Sequence, residues 1–200
     1  MSLSQGRLWD DAHPAFIHSH HLKLERLTEA PGAASQVRFS TQESTLGPIR
    51  IFSVGESIFR LDLLSESTDR YTIDIPAGWQ EQNEEVHRTA LKFLESRTWK
   101  GPVIPLALYG TEFQLKVWKA VADIPYGQHS TYGAIATSLG DPNLSRAVGA
   151  AVGNNPVAVL IPCHRVLAAN GKSGEFRWGK GMKRRLLARE RDSIPGLKKE

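Results

Sequence analysis

The chain changes pattern halfway along, and that change limits what it can fold into. Its first half carries short β-prone runs and one helix, whereas its second half reads mainly as helices. Strands followed by helices predict an α+β architecture. Ile49–Val54 and Ile58–Leu64 flank Gly55-Glu56-Ser57, a hairpin signal, and Tyr71–Ile75 alternates as a third strand. Pro76-Ala77-Gly78 ends it. Asn83 is placed to cap a helix reaching about Glu95, with Val86, Ala90, Leu91 and Leu94 on one face. Lys100-Gly101-Pro102 joins this unit to the next. The expected organisation is a loosely ordered arm over 1–35, an α+β domain over 36–100, a second domain over 101–192 and a tail over 193–200.

Thr111-Glu112-Phe113-Gln114 has the form of a capping box, opening a helix that buries Phe113, Val117, Val121 and Ile124 and stops at Pro125. Ser130 or Thr131 caps a short helix ending near Gly140. Asp141-Pro142-Asn143 then turns the chain into a helix from about Leu144 to Gly153. Two short helices around a tight turn resemble a helix-turn-helix. The second is made of small residues, with Gly149 inside it, where glycine costs about 1 kcal/mol relative to alanine. It is either squeezed between core neighbours or slim because it approaches something narrow, and Arg146 is its one long side chain.

Two hundred residues suffice for one good core or two small domains. One cysteine excludes an intramolecular disulfide and any multi-cysteine zinc site. No apolar run approaches the ~20 residues that cross a bilayer, and Met1–Asp11 lacks the apolar stretch of a signal peptide. A cytoplasmic location is the expectation. His18, His20 and His21 read as an unstructured His-containing tract rather than a metal site. Residues 1–100 carry 11 Lys+Arg against 14 Asp+Glu, a net of −3, whereas residues 101–200 carry 14 against 7, a net of +7. A basic C-terminal half is the footprint expected of a nucleic-acid binder.

Val157–Ile161 is a continuous apolar run, consistent with a buried strand, and it ends in Pro162-Cys163-His164-Arg165-Val166. A lone cysteine is either a small buried hydrophobe or a reactive thiol. His164 next door is placed to promote the thiolate, but adjacency alone does not establish a dyad. Adjacent strand residues point to opposite faces, so the pair needs a bend or a bridging water.

Pro162-Cys163-His164-Arg165-Val166 resembles the active-site signature of the O6-alkylguanine-DNA alkyltransferases. Gly110–Gln114 with Val117-Trp118, then Ile124-Pro125-Tyr126-Gly127, Thr131-Tyr132-Gly133, Arg146-Ala147-Val148-Gly149, Asn155-Pro156-Val157 and Leu186–Glu190 resemble that family's consensus in order and spacing. The resemblance is strong over about 105–191 and covers 45–100 in outline. Phe176-Arg177-Trp178-Gly179 is most similar to the C-terminal repair domain of bacterial adaptive-response regulators.

The resemblance implies a ribonuclease-H-like α/β domain followed by a winged-helix-like domain, acting as a monomer without cofactor or metal on duplex DNA. Its activity is a single transfer of an alkyl group from O6-alkylguanine, and from O4-alkylthymine, to Cys163. Glu190 orients His164, which takes the thiol proton through a water. Tyr132 crowds the phosphate and donates to the guanine ring. The helix bearing Leu144, Ser145, Arg146, Ala147, Gly149 and Ala150 enters the minor groove, with Arg146 filling the stack where the base leaves. Backbone carbonyls of Cys163 and Val166 hold the exocyclic amine, and Asn155 ties the DNA-binding helix to the nucleophile. Phe176, Arg177 and Trp178, in a loop over Gly171–Gly181, bound the pocket, and Trp178 narrows it in favour of methyl adducts. The rivals are a lesion-binding relative without a nucleophile, a cysteine hydrolase built on Cys163, His164 and Glu190, and a helix-turn-helix regulator.

Overall fold

In a computed structural model, which describes residues 21–64, 74–96, 99–169, 171 and 176–193, the β-prone half builds a six-stranded sheet. Its strands are β1 (Leu22–Arg26), β2 (Val37–Gln42), β3 (Ile49–Val54), β4 (Ser57–Leu63), β5 (Gln80–Glu81) and β6 (Ile104–Leu108). They lie in the order β1-β6-β4-β3-β2-β5. β2, β3 and β4 form an antiparallel meander, while β6 runs parallel to both β4 and β1. Gly55 turns the β3–β4 hairpin at a φ of 56°, a left-handed conformation that glycine adopts without strain. Helix α1 (Glu85–Glu95) covers the sheet through Ala90, Phe93 and Leu94.

Three expectations are corrected here. The arm is not loose throughout, because Leu22–Arg26 pairs residue for residue with Ile104–Leu108. The first unit also does not end at Lys100-Gly101-Pro102, since β6 lies beyond it and sits inside the sheet. Local pattern cannot reveal such pairing, which joins segments some 80 residues apart. Asn83 does not cap α1. Glu84 holds that position without a side-chain capping bond, while the Asn83 side-chain Oδ1 accepts from Gln42 Nε2. Of the proposed third strand, Asp74 and Ile75 are irregular and Tyr71–Ile73 lie outside the described residues, as do His18 and His20.

The second half follows its local signals closely. Thr111 and Gln114 cap α2 (Glu112–Ala122) reciprocally. Thr131, the residue chosen over Ser130, caps α3 (Tyr132–Ser138) by accepting from the Ala134 amide. A 3₁₀ turn over Pro142–Leu144 leads into α4 (Ser145–Gly153), and α5 (Lys180–Arg191) closes the chain. A short parallel ribbon joins β7 (Ser130–Thr131) to β8 (Val166–Leu167). The indole Nε1–H of Trp118 donates to the Ala151 carbonyl at 2.8 Å, pinning α4 to α2. One buried cluster runs from Ile49, Ile51 and Leu61 through Val117 and Val121 to Val148, Ile161 and Cys163, so the sheet and the helical half share a core. No helix among the described residues is long and apolar enough to cross a membrane.

Candidate active site

Val157–Ile161 is buried as its composition requires, yet it is a compact turn and not a strand. The reason is a side chain outside the run. Asn155 Nδ2 donates to the carbonyls of Val157 and Ile161 at 3.3 and 2.8 Å, and its Oδ1 accepts from the Val157 amide at 3.0 Å. These bonds replace the ladder partners that a strand would need. Val159 sits at a φ of 64°, a conformation costly for a β-branched residue and held only where the surroundings dictate it. Strand β4 supplies that hold, since the Leu61 amide donates to Pro156 and the Leu61 carbonyl accepts from Ala158, both at 3.0 Å.

The turn delivers Cys163, His164 and Arg165 as a single 3₁₀ turn, all buried. This is the bend that adjacency demanded, and it lets consecutive side chains take unrelated directions. The Cys163 thiol receives the Asn155 amide at 3.2 Å. Burial pushes its pKa up, against the smaller opposing pull of Asn155 and Lys183, so the resting group is a thiol and needs a base. His164 is fully buried, and its Nε2–H donates to Glu190 Oε1 at 2.7 Å across 26 residues of sequence. Its Nδ1 has no hydrogen-bond partner among the described residues. Burial drives the His164 pKa down, which favours a neutral ring with a lone pair on Nδ1. Glu190 is held far below the usual carboxylate range, chiefly by Arg165 and His164, against the opposing effect of burial.

Cys163 lies at a cavity of about 300 Å³ whose other walls are Tyr132, Gly149, Val152, Gly153, Phe176 and Arg177. The structure thus brings Cys163, Tyr132, Gly149, Phe176 and Arg177 together around one cavity. Asn155, Val166 and Trp178 are not among the residues that line this cavity. Trp178 is buried, packing edge-on against Phe176 with centroids 5.3 Å apart and lying 5.7 Å from the Arg177 guanidinium. It therefore supports the wall instead of forming it. The Val166 carbonyl accepts from Lys183 Nζ at 2.7 Å, and the Cys163 carbonyl from the Val166 amide.

Leu144, just before α4, and Ser145, its first residue, are partly buried, Val148, Ala151 and Val152 face the core, and Arg146, Ala147, Ala150 and Gly153 are exposed. A Cβ on Gly153 would meet nothing, and one on Gly149 would only touch the Tyr132 ring at 3.8 Å. Crowding by core neighbours therefore does not explain these glycines.

Sequence reasoning missed Arg165, Lys183 and the Gly127 amide, which donates to Glu190 Oε2 at 2.9 Å. A signal existed for one of them. Lys183, Leu186 and Glu190 fall on one face of α5 and are all buried, so a lysine shared that face with the expected carboxylate.

A family model, described as the DNA-binding domain of 6-O-methylguanine DNA methyltransferase, matches residues 112–192. The methylated-DNA–protein-cysteine methyltransferase of Methanosarcina acetivorans is 41% identical over 151 residues, covering 74% of this chain and 94% of that protein. That of Mycobacterium bovis is 34% identical over 163 residues, 80% of this chain and 95% of its own length. Among solved structures, Mycobacterium tuberculosis OGT in complex with DNA superposes with a TM-score of 0.68 at 33% identity, over 80% of this chain and 96% of that one. The buried thiol, its histidine–carboxylate pair and these likenesses agree: the chain belongs to the methylated-DNA–protein-cysteine methyltransferase family.

Proposed function

We propose that this protein repairs alkylated duplex DNA by moving the alkyl group of O6-alkylguanine, and of O4-alkylthymine, onto Cys163. The observation that carries the reading is the placement of one buried thiol against a cavity, beside a neutral histidine bonded to an ionised carboxylate. The thiol proton passes through a water to His164 Nδ1, while Nε2–H stays on Glu190 Oε1. The thiolate then attacks the alkyl carbon, the carbon–O6 bond breaks, and its electron pair leaves with the guanine. Tyr132 donates a proton to the ring so that the base departs neutral, and the proton held on His164 then restores the Tyr132 hydroxyl through solvent. Burial raises the Tyr132 pKa, so its resting form is the hydroxyl. The Cys163 and Val166 carbonyls each retain a second lone pair for the exocyclic amine. The product is a thioether, with no carbonyl for water to attack, so each molecule reacts once.

The exposed face of α4 fits a minor groove only ~6 Å wide because it is made of alanine and glycine. Arg146 projects from that face to fill the stack as the nucleotide rotates out, a step costing a few kcal/mol. We read the sheet with α1 as a ribonuclease-H-like unit. The α3–α4 pair beside the β7–β8 ribbon is read as a winged-helix-like unit, supported by the order of these elements.

The test is intact-mass and peptide mass spectrometry after mixing with a duplex containing O6-methylguanine. One methyl is expected, on the Cys163 peptide, and none in Cys163→Ala. A second turnover, or modification elsewhere, overturns the reading.

A further inference from the structure

The carboxylate behind His164 is shared. Glu190 Oε1 accepts from His164 at 2.7 Å and from Arg165 Nη2 and Nε at 2.9 and 3.1 Å. Oε2 accepts from Arg165 Nε at 3.0 Å and from the Gly127 amide at 2.9 Å. The same guanidinium donates from Nη1 to the Ile124 carbonyl at 2.6 Å and lies over the Tyr126 ring at 5.4 Å. Arg165 is thus clamped between the active-site turn, the segment after α2 and α5, with its side chain almost wholly buried.

This placement has a consequence for proton inventory. A lone carboxylate bonded to an imidazole draws a second proton onto the ring, because an opposite charge within ~4–6 Å favours the charged form. Imidazolium has no lone pair, so a ring protonated in that way cannot receive the thiol proton. A guanidinium fork on the carboxylate removes the net charge from the pair. We propose that Arg165 is a positioning residue for alkyl transfer, neutralising Glu190 so that it orients His164 without protonating it. The proposal rests on the transfer mechanism above, but it concerns the charge state of three residues before any substrate arrives.

The other charged groups around the pair act more weakly or in the same sense. Lys183, on the same helix as Glu190, is committed to the Val166 carbonyl, and its charge also disfavours imidazolium. His129, ahead of β7, lies within the field of Glu190, Arg165 and Lys183. The Cys163 thiol is uncharged at rest. Among the described residues Arg165 alone of the cations grips the carboxylate itself, through a fork whose geometry lysine cannot reproduce.

The test reads His164 directly by ¹⁵N-imidazole NMR of the unreacted full-length protein, assigned with His164→Gln. Wild-type His164 should be neutral at pH 7 and carry its proton on Nε2. In Arg165→Gln its titration should move up by about one pH unit, and the acid limb of single-turnover methyl transfer should move with it. Transfer should then be about tenfold slower well below that limb, with the rate regained at alkaline pH. A merely structural role would lower the rate equally at every pH. Arg165→Lys keeps the charge but grips one oxygen, so it should shift the limb upward by less, and it serves as the deciding variant if Arg165→Gln does not fold. A doubly protonated His164 in the wild type, or an unmoved limb in the folded variant, overturns the proposal. Intact transfer with an unmoved His164 titration would sink this proposal alone. Absent wild-type transfer would sink the repair reading and leave the NMR result standing.

Discussion

Asn155 Nδ2 lies 3.2 Å from the Cys163 sulfur while the same amide holds the carbonyls of Val157 and Ile161. One buried side chain therefore shapes the turn that presents the nucleophile and also offers a donor to the thiolate. Stability and reactivity are coupled at this position.

Asn155→Ala should accordingly lose about 1–3 kcal/mol, the cost of leaving buried carbonyls unpaired. It should also raise the Cys163 pKa further, since the amide donor now opposes the upward push of burial. Urea unfolding measures the first effect and the pH dependence of iodoacetamide labelling the second. A variant as stable as wild type with an unchanged labelling profile would show that the amide does neither.

The glycines of α4 separate folding from binding. Gly153→Ala meets no neighbour, so it should stabilise the fold by up to about 1 kcal/mol. Ala150→Leu, on the exposed face, should leave the melting temperature unchanged and weaken duplex binding at least several-fold. Fluorescence anisotropy with a labelled duplex reads the affinity. Undiminished binding by Ala150→Leu would mean that α4 does not enter a groove.

Pocket width should be set by Phe176 directly and by Trp178 only through it. Phe176→Ala is expected to increase the rate on O6-benzylguanine relative to O6-methylguanine with a modest loss of stability. Trp178→Ala should widen the pocket too, but at about 3–5 kcal/mol, because it removes a buried indole. Paired transfer rates and thermal melts distinguish the two. A Trp178→Ala protein as stable as wild type would place that side chain on the cavity surface after all.

Acid should destabilise the first half through His87. Its ring is buried between Ser40 and Ser53, 2.9 Å from each hydroxyl, and burial pushes its pKa down to about 4. The unfolded imidazole titrates near 6.5. Between those values the unfolded chain binds a proton that the folded chain refuses, so stability is full above about pH 6.5 and falls as pH drops towards 4. His164 adds to this loss in the same direction. His87→Gln does not titrate and should flatten the decline by about one proton, read as melting temperature against pH. An unchanged slope would exclude His87 as the origin.

The sequence by itself determined what depends on near neighbours. The capping box at Thr111, the Thr131 cap, the turn at Asp141 and the β3–β4 hairpin all formed where the residues indicated. The ordered motifs likewise singled out Cys163, His164 and Glu190. Only the tertiary structure decided what depends on distant segments. Leu22–Arg26 is a strand because Ile104–Leu108 lies beside it. The apolar run before Cys163 is a turn because Asn155 and Leu61 satisfy its backbone. Glu190 is a shared carboxylate because α5 brings it to Arg165 as well as to His164. Backbone pairing and buried charge are satisfied wherever partners meet in space, and sequence spacing carries little record of such meetings.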